Sequence, residues 1–276
     1  MSLPLLANSS GFDPVAEFTD FVNHPYVDLP LGLDINKGVV YLWISAAVAI
    51  LVPLLIIRKG LNAKPSRSQS FLELVYDTAY TQIAKAGLPD EGMRIWFPYV
   101  ATCFVFIWSM NVVGFIPLPF SGERVDIAGL SLPKLQIYAA SANLSVALTL
   151  TLVTFVATHV EGIRFNGPIR YFKSWVPQGA PGPLLFLIVP LEVISQFMRL
   201  ISLSVRLFAN MLAGHMLILV MIGLIFIFES YVLIFIAVPV ATAVYIFEVA
   251  IVVTIQAFVF ALLSAIYIGG AIEPEH

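Results

Sequence analysis

The chain is short of most of the groups that do covalent chemistry: among its 276 residues there is one cysteine, there are four histidines, and only 11% are charged. A soluble domain normally carries about 25% charged residues. With Cys103 alone in an apolar run, neither an internal disulfide nor a thiol metal site can form. His24, His159, His215 and His276 lie far apart in sequence, and no clustered metal ligands are spaced around them. A glycine-rich phosphate loop is missing, as is a nucleophile with a histidine and an acid close by. The sequence therefore predicts no metal, no cofactor, no nucleic-acid partner and no catalysis by the chain alone.

What it has in abundance is apolar sequence: 59% of residues are hydrophobic and the mean hydropathy is +0.93. Several runs reach the roughly 20 residues a helix needs to cross a ~30 Å hydrocarbon layer. None alternates in the ten-residue pattern of a membrane barrel. The chain reads as an all-α integral membrane protein with about five membrane helices and one interfacial amphipathic helix. Residues 1 to 38, with Asp13, Glu17, Asp20, Asp28 and Asp34, form an acidic outer arm that lacks the basic start of a signal peptide and reads as retained. Residues 39 to 276 form a single membrane domain. Its first span, 39 to 57, is closed by Arg58, Lys59, Lys64 and Arg67, which the positive-inside rule places in the cytoplasm. The N-terminus then lies outside.

Residues 68 to 91 follow as the interfacial helix, with Phe71, Leu74, Val75 and Thr78 on its apolar face and Glu73 and Asp77 turned away. Spans at 95 to 118 and 142 to 158 come next, the latter landing at Arg164, Arg170 and Lys173, and a stretch rich in Pro and Gly closes the first half. Runs from 184 to 228 and from 231 to 268 are then about twice the length that one crossing needs. With no polar turn in the middle of either, they predict two long, strongly tilted helices in a hairpin that ends in the cytoplasm. Pro239 is expected to kink the second without ending it.

Polar residues are sparse in these runs and ordered. Glu192, Ser195, Arg199, Ser202, Arg206 and Asn210 recur at intervals of three and four, which puts them on one helix face. His215 comes nine residues after Arg206, on roughly the opposite side. The second run supplies Glu248, Thr254 and Gln256. A charge at the bilayer centre costs at least ~2.5 to 3.5 kcal/mol, so an intramembrane arginine is a functional candidate. The bland alternatives are a pair between Glu192 and Arg199, a snorkelling Arg206, a histidine satisfied by packing, and hydroxyls bonded one turn back. The chemistry left open is the handling of protons or ions by titratable groups, with a permanently charged arginine between them.

The runs SLSVRLFANMLAGH (202 to 215), PLEVISQF (190 to 197), IQAFVFALLSAIYI (255 to 268) and NVVGFIP (111 to 117) resemble subunit a of F-type ATP synthases. The likeness covers nearly the whole chain. It implies a proton-translocating stator subunit whose two long helices lie against the c-ring and whose partners include the peripheral-stalk subunit b; the lack of a transit-peptide pattern favours a bacterial plasma membrane over a mitochondrial inner membrane. Arg206 matches the essential arginine that faces the ring carboxylates. Asn210, His215 and Gln256 match the outer access path, and Glu192 and Ser195 match the inner one, which Ser202 extends. One position departs from the pattern: the second titratable residue usually stands seven before the late glutamine, at Val249, whereas Glu248 stands eight before. A local bulge would restore the geometry. The competing reading is an ion-coupled secondary transporter with a site at Glu192, Arg206 and Glu248, which would call for internal repeats and broken helices.

Overall fold

The computed structural model describes residues 25–27, 35–58, 60–118, 124–127, 130–133, 137–175, 182–228 and 231–273. Most of the acidic arm and part of the loop after the second span lie outside the described residues. Two short antiparallel ladders flank the first spans, β1 (Pro25–Val27) with β2 (Ile35–Asn36), and β3 (Arg124–Ile127) with β4 (Leu130–Pro133). The other regular elements among the described residues are helical. The helices are α1 (Lys37–Arg58), α2 (Arg67–Asp77), α3 (Lys85–Gly87), α4 (Asp90–Gly114), α5 (Leu144–Asn166), α6 (Pro168–Ser174), α7 (Gly182–Ile227), α8 (Tyr231–Phe247) and α9 (Val253–Ile272). π-helical stretches join α2 to α3 (Thr78–Ala84) and α8 to α9 (Glu248–Val252).

Among the described residues five helices are long and apolar enough to cross a membrane, the last two being the 41-residue stretches Leu185–Ile225 and Val232–Ile272. Local chemistry sets their ends. The second span begins earlier than its hydropathy suggests because Pro89 sits at the N-cap and Asp90 and Glu91 occupy the first turn, where carboxylates favour the positive end of the helix. The third begins at the Asn143 cap, whose side chain accepts from the Ser145 N–H at 2.9 Å. It runs on to Asn166, past the expected stop at 158, and Gly167 ends it with a φ of +75° that glycine adopts without strain. Helix α7 is continuous for 46 residues, about 69 Å at 1.5 Å per residue. Pro239 lies within α8 without ending it, as expected.

The centre of the bundle is α9, which packs against α4, α5, α3 and the π stretch before α3. Its Ala257, Ala261, Ala265 and Gly269, four residues apart, form a stripe of small side chains along the core-facing side. In a bilayer the solvent is as apolar as the core, so close backbone approach through small residues is what holds helices together. Val100, Ile107 and Met110 of α4 fill the space opposite. Helix α7 packs on α5 and pairs with α8 as a hairpin, and α1 packs against α4 from outside.

The stretch expected as an amphipathic helix over 68 to 91 lies lengthwise along α4: Phe71 meets Trp108 at 6.0 Å between ring centroids, and Tyr80 meets Phe97 at 5.4 Å. Gln69, Ala79, Ile83 and Ala84 point inward, and of the expected apolar face Val75 and Thr78 are half-buried while Phe71 and Leu74 remain exposed. In a bilayer an apolar side chain can stay on the lipid side, whereas the polar Gln69 is drawn in, where it donates to the Asn62 carbonyl and the Glu73 carboxylate.

At the far end of this stretch Gly87 meets Gly269 so closely that a β-carbon on Gly269 would fall on the Gly87 carbonyl oxygen, which is rigid backbone. Gly269→Ala is therefore expected to destabilise the packing of α3 on α9 by about 1 to 3 kcal/mol. Proteolysis of membranes carrying the variant should cleave the 60 to 90 region faster than in the parent chain, and an equal rate would count against the close approach.

Candidate functional site

The polar residues of α7 divide between its two faces. Ser202, Arg206 and Asn210 are exposed on the outside of the bundle, whereas Ser204, Leu207, Met211 and His215 are buried within it. Arg206 has no carboxylate within ion-pair distance among the described residues. Arg199, two turns earlier, is held: its guanidinium lies 4.0 Å from Glu192 and 5.6 Å from the centre of the Tyr267 ring. Gln196 donates to the same Glu192 carboxylate at 2.9 Å. The structural reading of Glu192 and Arg199 as a pair therefore holds. It does not extend to Arg206, whose guanidinium faces outward and is unpaired among the described residues. Ser195 is half-buried beside Glu192.

The buried face builds a second, separate cluster. His215 is 4% exposed and donates through Nδ1 to the Met211 carbonyl at 2.9 Å, so that in the neutral ring Nε2 carries the lone pair. Nε2 has no partner among the described residues. The imidazole rests on Phe115, 4.7 Å between ring centres, and Phe115 in turn accepts at its carbonyl a 2.8 Å hydrogen bond from the Tyr245 hydroxyl. Glu248, 7% exposed, reaches across from the second helix of the hairpin and lays its carboxylate on the bare backbone of Gly214, next to His215. One of its oxygens, Oε2, is buried without a partner among the described residues. Asn111 and Ser141 add a buried pair at 2.6 Å.

Gln256 is also buried, at 6% exposure. On a regular helix its eight-residue separation from Glu248 would leave the two about 80° apart. The π turn at Glu248–Val252, closed by the Val253 N–H bonding the Glu248 carbonyl, takes up one residue without advancing the face. Eight residues then act as seven, and both polar side chains come to the interior. Thr254 falls on the exposed side, where it accepts from the Trp108 indole at 3.3 Å.

The stripe and the histidine thus fall on opposite faces of α7, as expected, and Glu248 joins His215 rather than Arg206. Asn210 stays on the exposed stripe and does not enter the buried cluster. Most other hydroxyls in the spans bond a carbonyl one turn back, among them Thr102, Thr149 and Thr242. Sequence reasoning misses Gly214. Its only signal is a glycine inside a long apolar helix, directly before the histidine.

Residues 39–269 match the family described as ATP synthase A chain. The chain is 35% identical to ATP synthase subunit a of Rubrobacter xylanophilus over 89% of its length and 87% of the relative's. It is 36% identical to the subunit a of Bradyrhizobium diazoefficiens over 85% and 88%, and 34% identical to that of Chlorobium phaeobacteroides strain BS1 over 92% and 71%. The chain belongs to the ATP synthase subunit a family. It is a membrane subunit of the proton-translocating Fo sector, part of the stator, and not a catalyst alone. Membership leaves the transporter reading without support.

Two expectations follow for synthase carrying altered chains. Gly214→Ala puts a methyl where the Glu248 carboxylate lies, so proton-driven synthesis should fall, and adding Glu248→Asp, one methylene shorter, should restore part of it; no effect of the first change would remove Gly214 from the site. Deleting Ala250 turns the π turn into regular helix while keeping Glu248 and Gln256 on one face, so synthesis should survive it. Deleting Ala257, in regular helix, should abolish synthesis, and equal loss from both deletions would show that the π turn has no register role.

Proposed function

We propose that the two faces of α7 serve two half-channels, one on each side of Arg206. Protons enter from outside through the buried cluster of His215, Glu248 and Gln256, with Asn210 at its passage to the exposed face. They bind a carboxylate on the c-ring, travel with the ring, and leave along Glu192, Ser195 and Ser202. The observation that carries this reading is the exposed guanidinium of Arg206 on an apolar helix, unpaired among the described residues. A permanent charge at that depth calls for a counter-charge. A ring of carboxylates sliding past supplies one.

The order of unloading and reloading follows from electrostatics. Arginine stays protonated, so Arg206 cannot relay a proton itself. Its charge favours the ionised form of any carboxylate within ~4 to 6 Å, so a ring site must unload before it passes and reload after. Separate faces keep the two aqueous routes from joining into a continuous leak. The driving force is ~2.3 kcal/mol for each charge moved through 100 mV.

The length of α7 and of the α8–α9 rod supports a strong tilt in the bilayer, since each exceeds the ~30 Å layer about twofold. Basic residues after the first and third spans support an outer N-terminus and a cytoplasmic C-terminus, and a bacterial plasma membrane suits both the chain and its relatives. Subunit b and the rest of the synthase are the further partners of this reading.

Arg206→Gln should eliminate proton-driven synthesis while the complex still assembles, as quantified by subunit recovery from the membrane. Arg206→Lys should also fail or be severely slowed, because a lysine keeps the charge but loses the planar fork and can be neutralised by burial. Normal coupled synthesis by Arg206→Gln would refute the barrier role.

A further inference from the structure

Between Glu161 and Glu192 the sequence has no carboxylate, while Arg164, Arg170 and Lys173 supply positive charge. Arg164 is 3.6 Å from Glu161. Arg170 and Lys173 are exposed on α6, with no carboxylate in ion-pair distance among the described residues. Cations after a span are expected from topology alone. Their apolar neighbours are not. At about 100° per residue, Phe172, Ile169, Lys173 and Arg170 follow one another around about 160° of the surface of α6, two apolar side chains and then two cations. Ile169 is 85% exposed and Phe172 52%, although α6 lies beyond the end of the third span. A helix with an apolar flank beside a basic one suits the plane where acyl chains meet head groups.

Packing fixes this helix against the bundle. Gly167 turns the chain, and Tyr171, the buried residue of α6, folds back over Gly162, where a β-carbon would fall on its ring. The Tyr171 ring meets His159 edge-on at 6.0 Å and Trp175 at 5.8 Å, and Trp175 meets Phe172 at 5.3 Å. Directly before the turn, Asn166 donates to the Ala271 and Ile272 carbonyls at 2.9 and 3.1 Å, satisfying groups that the end of α9 would leave open. The outward arc of α6 is thereby set relative to the third span.

We propose that α6 binds an anionic phospholipid, with the phosphate at Arg170 and Lys173 and an acyl chain along Ile169 and Phe172. The guanidinium offers a planar fork of donors to phosphate oxygens, and the ammonium adds a point charge. Two unpaired cations in a stretch without carboxylates favour a ligand with net negative charge, which a zwitterionic head group lacks. The exposed apolar pair calls for hydrocarbon on the same ligand, which a free phosphate ion does not carry. Bound lipid then pins the segment between the third span and α7 to the leaflet at that end of the span.

The test uses intact synthase reconstituted in phosphatidylcholine bilayers containing a trace of phospholipid with a photoreactive group on its acyl chain, close to the glycerol. Adducts are mapped by mass spectrometry after irradiation. A phosphatidylglycerol probe should label residues 165 to 175 about tenfold or more above a phosphatidylcholine probe with the same chain. Neutralising both cations, Arg170→Gln with Lys173→Gln, should bring that labelling down to the phosphatidylcholine level. Exchanging them, Arg170→Lys with Lys173→Arg, keeps the charge and should retain most of it. Equal labelling by the two probes in the parent synthase overturns the proposal without recourse to a variant, as does unchanged phosphatidylglycerol labelling after both cations become glutamine. Millimolar inorganic phosphate should leave the labelling intact, and full competition would assign a free-anion site in place of a lipid one. Absence of adducts on α6 from both probes would mean that another subunit covers the arc, and would equally overturn the proposal.

Discussion

The contact between the Glu248 carboxylate and the bare backbone at Gly214 constrains the rest of this structure. A carboxylate inside an apolar bundle is tolerated only where space and polarity have been arranged for it. Here the space comes from a missing side chain on α7, and the arrangement fixes how far α8 can slide along α7. Once Glu248 is seated, the polar groups further along the second rod must fall where that register leaves them. The π turn directly after Glu248 brings Gln256 back to the interior. One small residue and one surplus residue thus compensate each other across the hairpin.

Membrane helices make this kind of compensation necessary. In water a misplaced polar side chain can turn to solvent at small cost, but in hydrocarbon it must find a partner, a cavity or another subunit. The chain distributes its few polar groups among these three options. Glu192, Gln196 and Arg199 satisfy one another, His215 and Glu248 share a buried pocket, and Arg206 is directed outward. Because each choice is made by helix face, the angular spacing along the sequence already carries much of the functional organisation.

Much of the site is therefore legible in the order of the residues. Period and spacing alone separate Arg206 from His215, and the apolar run lengths mark the two long C-terminal helices. Features that break the helical period or depend on distant contacts leave no such trace. Phe71 and Leu74 mark an apolar face by their spacing, but spacing does not say whether that face turns to the bundle or to lipid. The acidic first turn at Asp90 and Glu91 and the residues that carry the third span on to Asn166 lie outside the apolar windows that hydropathy sees. Gly214 acquires meaning only with Glu248, 34 positions later, placed beside it.

The alanine and glycine stripe on α9 has a mechanical side. Small rigid side chains have almost no rotamers to exchange, so the contact they form with α4 and α3 has little give. A stationary element that bears load from a moving partner wastes work in proportion to how far it yields. The fold sets this seam along the core-facing side of the helix that carries Gln256, so that helix has little room to yield toward α4 and α3. Economy of side-chain volume here becomes stiffness of the subunit.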